Sequence, residues 1–121
     1  MTQQERTENK RILAEFLGAT ETFQGEYEMY GIIPSIEDGV DEQHYFWPSE
    51  MPFDTDWNWI MAVVDEINTT LPDDSWVTIE YNRCLTDVNE GGFTIETIAN
   101  NTIKAVYSAC VEFVKWHNKQ N

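Results

Sequence analysis

The residues of this chain that could do chemistry are mostly carboxylates, and one group of them has the spacing of a calcium-binding loop. Asp54, Asp56 and Asn58 occupy the first, third and fifth positions of such a loop, and Asp65 occupies the twelfth. The sixth position, which needs a glycine for a sharp turn, is Trp59, and the apolar residues after it have helical spacing. We therefore predict that Asp54 and Asp56 lie at the N-terminus of a helix, where carboxylates are favoured, and not in a metal site.

The residues that zinc or nucleophilic chemistry would need are few and far apart. The two histidines, His44 and His117, form no zinc-type spacing with Cys84 or Cys110. A Cys–His nucleophilic pair would depend on folding to bring one of each together, and Cys110 lies in an apolar helical stripe, where a thiol is usually inert. Two cysteines are too few for a disulfide scaffold, so we expect both to be reduced and packed.

Asp73 and Asp74 form an adjacent acid pair, the remaining candidate for acid–base chemistry. Aspartates are common in turns because they hydrogen-bond the local backbone, and this pair follows a proline and precedes a strand-like run. The chain contains no glycine-rich phosphate loop, no G-x-S-x-G sequence and no H-E-x-x-H sequence. We therefore expect a protein that is not an enzyme and holds neither a metal nor a cofactor.

The distribution of charge is the strongest feature of the sequence. Residues 12–82 contain sixteen Asp and Glu but no Lys or Arg, and the whole chain has a formal charge of −15. A small domain needs only about 2–8 charges to stay soluble, so the excess favours a cationic partner. With seven basic residues in total, direct contact with nucleic-acid phosphates or anionic lipid is not expected. The densest anionic segment contains Glu37, Asp38, Asp41 and Glu42.

Hydrophobic periodicity and turn residues predict three helices and four strands. Thr2 and Glu5 form a capping box that starts the first helix, and Asn100 or Asn101 is expected to cap the last one. The predicted elements are a helix over 3–17, strands over 27–33 and 43–47, a helix over 55–68, strands over 75–81 and 93–97, and a C-terminal helix. We expect the last two strands to pair as a hairpin. The order α-β-β-α-β-β-α predicts an α+β fold over 1–121, a single domain with a small, mostly antiparallel sheet packed against helices.

Five tryptophans in 121 residues are many, and tryptophan is enriched at the centres of protein interfaces as well as in cores. Trp57 belongs to the apolar stripe of the central helix, and Trp116 lies beside two alanines of the last helix, so we place both in the core. Trp47, at the end of a strand, and Trp59, on the flank of the central helix, are the predicted interface residues.

Three segments of the chain together resemble a family of phage proteins. The segments are Asn9–Gly18, Asp56–Ile67 and Ile103–Asn118. In order and spacing they are similar to small uncharacterised proteins of tailed phages and mobile elements, notably those of Bacteroidetes hosts. That family has no established catalytic residues, so the resemblance implies a phage origin and supplies no site residues.

Together, the charge and the resemblance imply a small acidic phage protein that inhibits a host defence protein. The expected partner is a nucleic-acid-handling host protein with a basic surface, such as a CRISPR effector or its guide complex, bound by nucleic-acid mimicry as an anti-CRISPR protein would bind it. The alternative is a phage housekeeping or structural protein that acts as a homo-oligomer, and a small enzyme is the weaker alternative. We expect a cytoplasmic location, because no signal sequence or membrane-length apolar run is visible. The predicted partner-binding residues are Glu37, Asp38, Asp41, Glu42, Trp47, Asp54, Asp56, Trp59, Asp73 and Asp74.

Overall fold

A computed structural model of the chain describes residues 2–34, 36, 44–71, 76–80, 83–88 and 93–119, which form three α-helices, five strands and one 3-10 turn. In chain order these are α1 (Gln3–Phe16), β1 (Tyr27–Glu28), β2 (Tyr45–Phe46), the 3-10 turn (Pro48–Glu50), α2 (Trp57–Thr70), β3 (Trp76–Glu80), β4 (Arg83–Val88), β5 (Phe93–Ile98) and α3 (Thr102–Lys119). Three helices and two small antiparallel sheets confirm the predicted α+β class.

The starts of the first and last helices are determined locally, as the sequence predicts. The Glu5 backbone N–H donates a hydrogen bond to Thr2 Oγ1 at 3.1 Å, which caps α1. The Lys104 backbone N–H donates to Asn101 Oδ1 at 3.0 Å, which caps α3. α1 ends one residue before the predicted end, and Gly18 then takes a φ of +94°, which glycine adopts without strain. α2 begins and ends two residues later than predicted.

β1 and β2 pair antiparallel, but each contains two residues and is much shorter than the predicted strands over 27–33 and 43–47. After β1 the chain turns, because the backbone N–H groups of residues 32–33 donate to the Met29 carbonyl at 3.0 and 3.1 Å. Gly31, with a φ of +80°, allows this turn. The alternation of apolar and polar residues in the sequence therefore reflects one short strand followed by a turn.

The predicted hairpin between the last two strands is wrong, because a further strand, β4, lies between them. The sheet is an antiparallel meander in the order β3-β4-β5. The polar residues of β4 conceal its alternation in the sequence. Cys84 and Thr86 are buried, while Arg83 on the opposite face pairs with Glu80 and Glu96 of the neighbouring strands at 2.8 and 2.6 Å. These cross-strand ion pairs allow a charged side chain to lie in the central strand.

α3 lies at the centre of the fold and packs against α1, α2 and the three-stranded sheet. On its α1 side, Phe113 meets Phe16 edge to face, with 6.1 Å between ring centroids. On its sheet side, the Thr97 hydroxyl of β5 donates a hydrogen bond to the Ala105 carbonyl. The buried face of α3 contains Ala105, Val106, Tyr107, Ala109, Cys110, Val111, Phe113 and Val114, which includes most of the stripe that the sequence predicts.

Candidate protein-binding surface

The fold separates the charges of the chain. Six of the seven Lys and Arg residues lie in α1 and α3, which pack against each other, and the seventh is Arg83 in β4. α1 carries three basic and three acidic side chains, and α3 carries three basic and one acidic. The rest of the chain has one basic residue and eighteen Asp and Glu. The net negative charge is therefore carried by residues outside the α1–α3 helix pair.

Six of the ten predicted binding residues lie outside the described residues: Glu37, Asp38, Asp41, Glu42, Asp73 and Asp74. The first four belong to the connection between β1 and β2, since Ile36 and His44 are the described residues on either side of them. The other two belong to the connection between α2 and β3. The role of these six carboxylates in binding a partner stays a prediction.

The two described carboxylates of the predicted set both have partners within the fold. Lys10 Nζ of α1 lies 3.3 Å from Asp54 Oδ1. Asp56 is the N-cap of α2, and its Oδ1 accepts a hydrogen bond from the Asn58 backbone N–H at 2.8 Å. The predicted helix start is confirmed, and both carboxylates have a structural role that needs no binding partner.

Replacing Asp56 with alanine is expected to lower the free energy of unfolding by about 1 kcal/mol, because α2 loses its N-cap. Asp56→Asn keeps an accepting oxygen and removes only the charge, so it is expected to retain most of that stability. Urea denaturation of the two variants measures the difference. Equal losses in both would mean that the charge of Asp56, and not its hydrogen bond, stabilises the helix.

The structure reverses the predicted roles of the two tryptophans of α2. Trp59 is only 4% exposed and packs edge to face against Phe46 and Phe53, with ring centroids 5.0 and 5.2 Å away. Trp57 is 44% exposed. The prediction of Trp59 as an exposed interface residue and Trp57 as a core residue is wrong, because rings from β2 and from the segment before α2 determine which side is buried. Trp116 packs partly buried against the core, as predicted.

Three of the five exposed aromatic side chains in the described part of the chain lie on or beside the β1–β2 sheet, and the other two are Phe23 and Trp57. Tyr45 lies opposite Glu28 in the register and both are exposed, whereas Tyr27 and Phe46 form the next pair and pack toward the core. Trp47, one of the predicted binding residues, follows β2 and is 44% exposed. We call the exposed side of this sheet the acidic aromatic surface, and it contains Glu28, Tyr30, Tyr45 and Trp47.

Sequence reasoning does not single out Tyr30 or Tyr45 as binding residues. The available signal is the period-two alternation of an extended segment, in which Met29 is fully buried and its neighbours Glu28 and Tyr30 therefore point outward. The Tyr30 ring also stacks on His44, with 5.1 Å between centroids. This contact joins the turn after β1 to the residue before β2, and no sequence pattern reports it.

The polar groups between α1 and β1 form one connected network. The Tyr27 hydroxyl donates to Glu15 Oε2 at 2.6 Å, and burial, assisted by this carboxylate, raises the pKa of Tyr27 to about 12. Arg11 forms ion pairs with Glu8 and Glu15 of its own helix, and its hydrogen bond lowers the pKa of Glu8. This network attaches the first strand to the first helix.

Both cysteines are free thiols and buried, as the sequence predicts. In the described ranges, no three His, Cys, Asp or Glu side chains are grouped so that they could hold a metal ion. No helix in those ranges is both long and apolar enough to span a bilayer. Comparison with protein-family models, curated proteins and solved structures finds no match. The fold and the site together define a small, strongly acidic α+β protein with exposed aromatic residues on a two-stranded sheet.

Proposed function

We propose that the protein binds a partner protein with a basic surface, and that it does so through residues outside the α1–α3 helix pair. The observation that carries the proposal is the separation of charge. Because that helix pair contains six of the seven basic residues, the rest of the chain is left with eighteen carboxylates and one arginine. Uncompensated carboxylates repel one another in the folded chain, and a cationic partner relieves this repulsion on binding.

The acidic aromatic surface suits such a partner because it adds contact area to charge. Tyr30, Tyr45 and Trp47 are each more than 40% exposed. Carboxylates attract a basic partner over roughly a Debye length, about 8 Å at physiological salt, whereas aromatic rings act only at contact. The combination favours rapid, salt-sensitive encounter followed by burial of an aromatic centre.

In its narrower form, the proposal is that the partner is a host nucleic-acid-handling defence protein. The acidic residues would occupy its nucleic-acid site, as in an anti-CRISPR protein that mimics nucleic acid. The observation that supports this form is the charge of −15, which has the sign that a phosphate-binding surface recognises. The phage origin that the three segments suggest stays a prediction.

The proposal is tested by displacement of labelled DNA from purified CRISPR effector–guide complexes and restriction enzymes of a Bacteroidetes host. We expect the protein to displace DNA from at least one of them and to bind it directly. The affinity for that partner should fall by about tenfold or more between roughly 50 and 200 mM salt, because several charge pairs must form at once. Binding that is unchanged across this range would contradict a charge-driven mechanism.

Matched double variants locate the surface. Asp38→Asn with Asp41→Asn removes two charges from the β1–β2 connection, and Glu5→Gln with Glu112→Gln removes two from the α1–α3 pair. Only the first pair is expected to weaken binding, by about tenfold. Equal effects of the two pairs would contradict the proposed surface, and a stable homo-oligomer that displaces DNA from none of these proteins would favour the structural alternative.

A further inference from the structure

A cavity of about 370 Å³ lies between the chain that follows α1 and the β1–β2 sheet. The segment 18–22 forms one side, and Glu28, Tyr30, Ile32 and Tyr45 form the other. Sites for small molecules usually occupy about 300–1,000 Å³, so this volume is near the lower limit and suits a single side chain.

The charge of the cavity lining favours cations. Glu21 and Glu28 both line it, and none of the lining residues that the structure describes is Lys or Arg. The cavities beside α1 and α3 differ, because each of them is lined by basic as well as acidic side chains. Neither Glu21 nor Glu28 forms an ion pair within the described part of the chain. A positive group in this cavity would therefore meet carboxylates that no internal cation compensates.

The aromatic lining favours a flat cation. Tyr30 and Tyr45 contribute two rings, and the contact with His44 holds the Tyr30 ring in place. Cations bind over the face of a tyrosine ring, and a guanidinium can stack on the ring while its N–H groups bond a carboxylate. An ammonium group is compact and strongly hydrated, so it gains less from such a lining. The lining thus favours arginine over lysine.

Thr22 supplies an independent observation. It lines the cavity, and its Oγ1 is buried with no hydrogen-bond partner among the described residues. Buried hydroxyl groups are normally hydrogen-bonded, because an unsatisfied one loses its bonds to water without replacement. A guanidinium has five N–H donors, enough to reach a carboxylate and a hydroxyl oxygen together.

We infer that this cavity binds the guanidinium group of one arginine side chain, presented by the basic surface of the partner protein. The inference rests on the proposed function, because the arginine belongs to that partner, and it goes further by naming the group that is recognised. Glu28 pairs with the guanidinium, the two tyrosine rings stack on it, and Thr22 accepts a hydrogen bond once its buried hydroxyl group rotates toward the cavity. Such an arginine would anchor the interface, a role in which Arg is common.

The probe is N-acetyl-arginine amide, titrated into the ¹⁵N-labelled full chain and followed by NMR. We expect a dissociation constant in the millimolar range, as one side chain can provide, with shift changes confined to residues 18–22, 28–32 and 45. The citrulline amide has nearly the same shape without the charge and should bind about tenfold more weakly. The lysine amide should bind roughly threefold more weakly than arginine.

Two single-charge variants control this experiment. Glu28→Gln is expected to weaken arginine binding by about tenfold, whereas Glu66→Gln, at an exposed position of α2, should leave it unchanged. Both positions are exposed, so both variants should fold, and the NMR spectrum checks this directly. Equal binding of arginine and citrulline, equal effects of the two variants, or shifts located elsewhere would overturn the site. Lysine that binds as tightly as arginine would overturn the choice of guanidinium.

The same variants separate this inference from the proposed function. In one outcome, the wild type binds the arginine amide, Glu28→Gln does not, and the wild type binds no host protein. This outcome would support the cavity as an arginine site and reject the proposed function. In the opposite outcome, a host protein binds the wild type and Glu28→Gln equally, and the wild type gives no NMR response to the arginine amide. This outcome would reject the arginine site and keep the proposed function.

Discussion

Replacing Trp59 with alanine is expected to lower the free energy of unfolding by about 3–5 kcal/mol, the usual cost of removing a buried large aromatic side chain. Trp59 is 4% exposed and contacts the rings of Phe46 and Phe53, so its removal leaves a cavity that those rings line. The same replacement at Trp57, which is 44% exposed, should cost less than about 1 kcal/mol.

Urea denaturation of the two variants, followed by far-UV circular dichroism, measures this difference. Trp57→Ala is the matched control, because it removes the same side chain from the same helix two residues away. Similar losses in both variants, or a larger loss for Trp57→Ala, would contradict the orientation of α2. Light scattering on Trp57→Ala also tests whether the exposed ring takes part in self-association.

Both cysteines are expected to resist a thiol reagent until the protein unfolds. The thiolate is the reactive form, and burial raises the pKa of Cys84 to about 11 from an ordinary value of 9.0. Burial also raises the pKa of Cys110, and the neighbouring Cys84 adds to this effect. At pH 8 the thiolate fraction of Cys84 should therefore be roughly 100-fold below that of an ordinary cysteine, and lack of access slows the reaction further.

Ellman's reagent at pH 8 provides the measurement. The native protein is expected to release almost no chromophore over minutes, while the protein in guanidinium chloride should titrate two thiols at once. The rate in the native state should rise with pH, because the raised pKa delays ionisation. Rapid reaction of one thiol in the native protein would contradict its burial and would reopen a nucleophilic role for that cysteine.

The helices could be predicted from the sequence because their signals are local. Each helix begins at the residue directly after its capping residue, which is Thr2, Asp56 or Asn101. The apolar residues of α3 also recur at regular helical spacing. β4 could not be predicted in this way. β4 lies between β3 and β5 and pairs with both of them. Arg83 is acceptable in this central strand only because Glu80 of β3 lies opposite it and Glu96 of β5 lies diagonal to it once the sheet forms.

The existence of α2 could likewise be predicted from the sequence, whereas its orientation could not. Trp57 and Trp59 lie about 200° apart around a helix, so they cannot both face the core fully. Apolar residues cover more than half of this helix, and periodicity alone therefore cannot choose between them. Phe46 and Phe53 make the choice, because they pack against Trp59 from outside the helix.

The candidate site combines predictable and unpredictable parts. Its excess of carboxylates can be read from the sequence, and the exposure of Trp47 agrees with the prediction of an accessible aromatic residue there. The cavity could not be predicted from the sequence. One side comes from the segment 18–22 and the other from β1, the turn after it and β2, and only strand pairing brings Tyr45 next to Glu28.

The sequence by itself determined the size of the charge, the stretch of 71 residues without Lys or Arg, and the α+β class with its three helices. Only the tertiary structure decided where the opposing charges lie. Six of the seven Lys and Arg residues occur near the two ends of the chain, and the packing of α1 against α3 places all six in one helix pair. The physical reason is that burial of apolar surface is non-directional and acts between residues far apart in sequence. The apolar faces of the helices therefore decide which helices pack together, and the positions of the charged side chains on those helices result from that packing.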